Sequence, residues 1–455
     1  MNNYHKKTIK IITQSLNIDI LEPFKLKDTT TGVCTGFFIS PSLILTCSHC
    51  VIDSKHLYFE VPYKGKKKLK MTLLGVCPKF DIALLKSDEY KSSHYFSLGN
   101  SNKIKAGYEV YAVGFPLGQS NLKITKGIIS GIQFSSIQID APINPGNSGG
   151  PLIYNGKVIG INKSGFRHSN NIGYAAPIEC YNVIKKELNS NKSILIHRPE
   201  MGFSYINSTK GMLELSKSKK NGVYICDIFK NSPISKTGLK RGDILTKIND
   251  NNIDNYGLID SLISKNDKIP CLDIFNTFKI NQKVKIEYIR DGKIYKKSYN
   301  YSDYIMPIRE IYPQFDEIEY ISFGGIVFMN LLLNHLDIID IKEKDIKLPI
   351  SLLEYYKYDN REEQKIIITV IYPNTYIENI DVLTVGDIII KCNNKSVSNI
   401  KQLKKAMKNP IKKGKSKYIS IETEDNKKII IDLENILSTE KNTANTFKYP
   451  IMNIL

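Results

Sequence analysis

The run Asn144-Pro145-Gly146-Asn147-Ser148-Gly149-Gly150-Pro151-Leu152 holds the residue types that nucleophilic catalysis needs. A serine hydroxyl attacks poorly until a base removes its proton. The oxygen that becomes negative during the attack also needs N–H groups aimed at it. Glycines beside the serine let the chain turn tightly enough to present such groups. The run thus offers Ser148 as nucleophile, and the Gly146 and Ser148 N–H groups, with Asn147 between them, as an oxyanion hole. Taken alone, it fits a plain turn or a phosphate nest equally well.

The base for such a serine would be a histidine, whose ordinary pKa lies near ambient pH. Seven are available. His5 lies in the N-terminal segment, and His197 and His335 lie beyond residue 195, outside the first domain. His56, His94 and His168 sit in polar, loop-like stretches. His49 ends the apolar run Leu43-Ile44-Leu45-Thr46, so a strand would hold it rigidly, as a positioned base requires. A third group must orient the imidazole. Asp81 heads the apolar strand Ile82-Ala83-Leu84-Leu85, where a carboxylate is costly without a dedicated partner. Asp53 falls in a turn. Asp140, in Gln138-Ile139-Asp140-Ala141, also reads as partly buried and remains a rival.

The elements that position these residues read as all-β over residues 1–195. Short apolar runs recur, punctuated by Pro41-Ser42, Gly75, Gly99-Asn100 and Asn155-Gly156, which predicts a sandwich or barrels. Ile178, Tyr181, Ile184 and Leu188 predict a closing helix. Further on, RGDILTKIND at 241–250 is repeated as VGDIIIKCNN at 385–394.

The order of the boxes TCSHCV, FDIALLK, LKITKGIISGI, IDAPINPGNSGGPL and NIGYAAPIE resembles the HtrA/Deg serine proteases of the chymotrypsin-like clan. That resemblance implies a mainly β fold: a double β-barrel over residues 1–195 with His49, Asp81 and Ser148 as its triad. It also implies a substrate pocket walled by Ile143, Ile161, Asn162 and Lys163, with no acidic base and hence a preference for small apolar side chains. Residues 196–303 resemble a PDZ domain whose peptide-binding loop is Met201, Gly202 and Phe203. A segment Asn266–Ile280 separates its helix from its last strand. Residues 304–440 resemble the degenerate second PDZ of plant-type Deg proteases, and 441–455 read as a polar, frayed tail. The resemblance further implies ATP-independent cleavage of unfolded proteins or peptides, homo-oligomers built on trimers, and no cofactor or metal. The alternative is a PDZ scaffold or holdase with a resting protease domain.

Length and composition agree with a soluble chain of several domains. The 455 residues suggest three domains at ~100–200 residues each. The longest apolar run, Ile321–Leu333, falls short of the roughly 20 residues that span a bilayer and reads as a buried strand or core helix. The net charge is 64 minus 45, or +19, but no basic motif interleaved with aromatics accompanies it. Nucleic acid is therefore not an expected partner. Eight cysteines are scattered, and Cys47-x-x-Cys50 has no second pair to complete a zinc site. The N-terminus lacks an apolar signal core. Together these predict free thiols and an intracellular, cytoplasmic location.

Overall fold

The computed structural model describes residues 3–133, 136–165, 172–190, 192–261, 267–340 and 348–451. His168 lies outside them. The chain is mainly β and divides into two compact units. One holds residues 1–15 and 29–305, the other 16–28 and 306–455.

In the first unit, β1 (Thr8–Ile18), β2 (Leu26–Phe38), β3 (Leu43–Thr46), β4 (Ser54–Glu60), β5 (Leu69–Cys77) and β6 (Ile82–Ser87) close a barrel in the order β1-β2-β3-β6-β5-β4. A second barrel is built from β7 (Glu109–Gly114), β8 (Lys123–Gln133), β9 (Ser136–Ile139), β10 (Pro151–Tyr154), β11 (Lys157–Gly165) and β12 (Gly173–Pro177). Alternating burial along the strands fills both interiors, with Phe37, Phe59 and Leu85 in the first and Val110, Ile129 and Ile137 in the second. The helix Ile178–Leu188 buries Ile178, Tyr181, Ile184 and Leu188.

The same unit continues into β13 (Phe203–Ile206), β14 (Val223–Ile228), β15 (Ile244–Ile248), β16 (Asn251–Asn252), β17 (Leu258–Asp260), β18 (Lys268–Pro270), β19 (Gln282–Arg290) and β20 (Lys293–Tyr301). The main sheet runs β13-β14-β15-β19-β20, so β13 is an edge strand. Among the described residues, no helix forms between β16 and Asn266, where one was expected. Between β16 and β19 the described residues make the β17–β18 hairpin and a 3-10 segment, Cys271–Thr277.

The second unit is an eight-stranded sheet of β21 (Tyr320–Phe323), β22 (Ile326–Asn330), β23 (Ile366–Ile371), β24 (Ile388–Cys392), β25 (Lys395–Ser396), β26 (Ile411–Lys413), β27 (Ser416–Thr423) and β28 (Lys428–Asp432). The long apolar run covers most of β21, a glycine turn and β22, and is buried from Ile321 to Met329. The internal repeat is structural. Asp243 before β15 is held by Arg290 at 2.7 Å, and Asp387 before β24 by Lys427 at 2.7 Å.

Two expectations are corrected here. The expected frayed tail from 441 is not seen over the described residues 441–451, because the helix Leu433–Phe447 carries Leu433, Ile436, Glu440 and Ala444 on one buried stripe. Glu440 also accepts from the Gly324 amide at 2.8 Å. Nor do residues 1–195 stay in one unit. Ile20, Leu21 and Phe24 pack into the core of the second unit, where the Thr369 hydroxyl donates to Leu21 O at 2.8 Å.

Candidate functional site

The site is assembled from three corners of the barrels. The buried strand β3 ends at Thr46, whose hydroxyl donates to Thr35 O at 2.7 Å. The chain then turns, burying Cys47 and leaving the His49 side chain 48% exposed at the mouth. Asp81 follows the 3-10 turn Pro78–Phe80 and takes left-handed backbone angles, φ 57°. That conformation is uncommon for a side chain larger than glycine and marks a held corner.

Asp81 grips His49 twice. One carboxylate oxygen accepts from the His49 amide at 3.0 Å, and both oxygens lie 2.9–3.0 Å from Nδ1. Because a carboxylate accepts, the Nδ1 proton points at Asp81 and the lone pair of the neutral ring sits on Nε2. Burial opposes the charge on Asp81, but the His49 ring and amide, with Lys163 behind them, hold its pKa below the usual carboxylate value. The rival Asp140 accepts instead from the Ile128 amide at 2.6 Å and braces β8.

The serine loop hangs on Thr35 of β2. The Thr35 hydroxyl donates to Gly146 O at 2.7 Å, and the Thr35 amide donates to Ser148 O at 2.9 Å. Gly149 donates to Asn162 O at 2.7 Å. Gly146 (φ 97°) and Gly149 (φ 84°) are in the glycine-favouring region, and a Cβ on either would strike backbone or the Thr46 hydroxyl. The Asn147 amide donates to Asn144 O at 3.0 Å, so it is not a donor for an oxyanion. Among the described residues, the Gly146 and Ser148 amides meet no protein acceptor. The Ser148 hydroxyl donates to Lys163 O at 2.8 Å. Its single proton is therefore directed away from His49 in this state.

Of the expected pocket residues, Ile161 and Asn162 are wholly buried, while Ile143 and Lys163 are half-buried and face the surface. In the PDZ region, Gly202 has φ 80° and Phe203 begins the edge strand β13 with its ring in the core. Met201 packs against the same core.

The cysteines differ from the expected free thiols. Cys34 and Cys50 form a disulfide. Sixteen residues apart in sequence, they are brought together where β2 passes the His49 turn. This splits the C-x-x-C pair. Cys47 remains a buried thiol, pushed well up in pKa chiefly by burial, and donates to Asn162 O at 3.1 Å. Neither Thr35 nor the Cys34 partnership was legible from spacing. The signal for both is their placement on one strand opposite the His49 turn.

Comparisons with known proteins identify the domains that carry this site. The trypsin-like peptidase domain matches residues 34–161, and two PDZ domain families match residues 199–298 and 312–450. A relative in Pseudomonas putida (strain W619), named as a periplasmic serine endoprotease DegP-like, is 32% identical over 273 residues, covering 57% of this chain and 53% of the relative. Serine protease Do-like HtrA of Bacillus subtilis (strain 168) is 30% identical over 296 residues, 59% of this chain and 63% of that one. A protein of Arabidopsis thaliana named protease Do-like 13 is 26% identical over 375 residues, 77% and 74% of the two chains. The chain thus spans about half the length of the first of these relatives. The solved structure of the HtrA-type protease AlgW with tripeptide shares the fold at TM-score 0.50 and 22% identity, covering 65% of this chain and 93% of that one. The chain therefore carries a trypsin-like peptidase domain and two PDZ domains, and its homologues are DegP/HtrA serine proteases. The expected cytoplasmic location is corrected: relatives in two Pseudomonas species and in Rickettsia prowazekii are described as periplasmic. Among the described residues, no helix is long and apolar enough to cross a membrane.

Proposed function

We propose that the chain is a serine endopeptidase that hydrolyses peptide bonds of unfolded or extended proteins without ATP or a cofactor. The observation that carries this reading is the double grip of Asp81 on His49, which leaves Nε2 as a base on the turn that follows a rigid strand. Ser148 Oγ bonds to the scissile carbonyl carbon while His49 takes its proton. The Gly146 and Ser148 amides stabilise the oxyanion. His49 then passes the proton to the leaving amine as the C–N bond breaks. Water, deprotonated by the same His49, releases the acyl group and restores Ser148. Ile143 and Lys163 border the substrate side chain, which we take to be small and apolar. The open edge of β13 beside Met201, Gly202 and Phe203 suits an added peptide strand. We further propose a homo-oligomer of trimeric type, to be read by light scattering.

The test is casein cleavage by Ser148→Ala. The substitution should cost on the order of 10⁴–10⁶-fold in kcat with the fold intact. A second reading, a peptide-binding scaffold with a resting protease, draws support from the Ser148 hydroxyl donating to Lys163 O. In that case the purified wild type would bind unfolded protein without cleaving it.

A further inference from the structure

The acid of the proposed triad is braced from outside its own barrel. The segment leaving the helix Ile178–Leu188 zips onto the end of β5. Val76 donates to Ile194 O at 2.7 Å, and Ile196 donates to Val76 O at 2.8 Å. Two residues on, Arg198 turns inward and is buried. Its Nη2 donates to Phe275 O at 3.1 Å and to Phe278 O at 2.5 Å, both in the segment between β18 and β19. Its guanidinium stands 5.1 Å from the centre of the Phe80 ring and 5.5 Å from that of Tyr301. The Tyr301 hydroxyl in turn donates to Pro199 O at 2.6 Å, fixing the backbone beside Arg198.

Phe80 is itself buried and directly precedes Asp81. Its turn closes through the Asp81 amide on Pro78 O at 2.9 Å. The left-handed backbone of Asp81 is thus set by a corner whose aromatic face is covered by Arg198. Arg198 has no carboxylate partner among the described residues, and its Nη1 is buried without a hydrogen bond. A buried guanidinium without a carboxylate partner is costly. A plain apolar side chain would fill the same space more cheaply, so the cost calls for an explanation.

We propose that Arg198 is a positioning residue for the reaction. It clamps the Phe80–Asp81 corner against the carbonyls of residues 275 and 278, so the PDZ region supplies part of the support for the triad. This rests on the reading of His49, Asp81 and Ser148 as the triad. Arg198 touches neither substrate nor the reacting atoms, and its effect runs only through Asp81.

The test is a double-mutant cycle on the full chain with a short peptide substrate. Arg198→Met should lower kcat on the order of 10- to 100-fold, as small misplacements near the chemistry do, while KM moves within about twofold. On an Asp81→Asn background the same change should cost less than about twofold further, because the residue it acts through is already disabled. Arg198→Lys, which keeps the charge but not the fork, should recover part of the loss. Full additivity with Asp81→Asn, or wild-type kcat in folded Arg198→Met, overturns the proposal. If Arg198→Met does not fold, Phe80→Leu replaces it and must show the same non-additivity. Ser148→Ala separates the two claims. Should it leave hydrolysis intact, the triad reading fails. Should it abolish hydrolysis while Arg198→Met is silent, only this inference fails.

Discussion

Cys50, the residue after His49, is joined by a disulfide to Cys34, the residue before Thr35. Thr35 is where the serine loop hangs, through Gly146 O and Ser148 O. The bridge therefore ties the turn that carries the proposed base to the strand that seats the proposed nucleophile. Distances between a base and a nucleophile tolerate little drift, so on the proposed triad the bond is expected to serve the chemistry as well as the fold.

Reduction, or Cys34→Ser, should lower kcat for a short peptide on the order of tenfold. It should also cost about 3 kcal/mol of stability, the entropic estimate for a closed loop of this length. Peptide hydrolysis with and without reductant, alongside chemical denaturation, checks both. Unchanged kcat after complete reduction, shown by thiol counting, would mean the bridge does not position the triad.

The two carboxylate candidates make opposite demands. Asp81→Asn should drop the rate by ~10⁴, because the amide favours the wrong ring tautomer. Asp140→Asn only weakens a brace on Ile128 and should leave the rate near that of wild type. Asp81 also couples stability to pH. Its folded pKa lies below the ordinary 3.8, so its contribution is present above that pH and is lost as pH falls through the lower folded value. The stability gap between wild type and Asp81→Asn should shrink below pH 3.8 in thermal unfolding.

In the second unit, His335 is wholly buried. Its Nδ1 accepts from the Leu332 amide at 3.3 Å, which leaves Nε2–H to donate to Ile20 O at 3.2 Å. A second ring proton would face the Leu332 N–H. Burial lowers its pKa from 6.5 to about 4. The neutral ring's stabilisation is therefore complete above pH 6.5 and is lost as pH falls toward 4, by about 3 kcal/mol over that window. Unfolding monitored from pH 7 to 4 should show this loss, and His335→Asn should flatten it. An equal slope in the variant would assign the acid sensitivity elsewhere.

A cut after Asp303 removes the core into which Ile20, Leu21 and Phe24 pack. The truncated chain should therefore lose solubility or change its oligomeric state, as light scattering would report. The same discrete oligomer before and after the cut would leave assembly to the barrels.

Much of this was legible because local chemistry and global placement coincide. His49 follows an apolar strand closely, Asp81 directly precedes another, and the glycines around Ser148 suit a tight turn. The helix Ile178–Leu188 follows from apolar spacing alone. What was not legible depends on contacts distant in sequence. Cys34 finds Cys50 only once β2 lies against the His49 turn. The helix Leu433–Phe447 looks polar because a single narrow stripe buries. Residues 20–24 read as part of the 1–195 domain because the partners that draw them into the second unit lie more than 300 positions away.

The most direct test of the account is mass-spectrometric mapping of a fluorophosphonate adduct, timed with and without unfolded casein. The Ser148 hydroxyl must leave Lys163 O before it can react, so labelling should fall on Ser148 and should quicken when substrate is present. Ser148→Ala should abolish it. An adduct on another residue, or casein cleavage that persists in Ser148→Ala, would contradict the account.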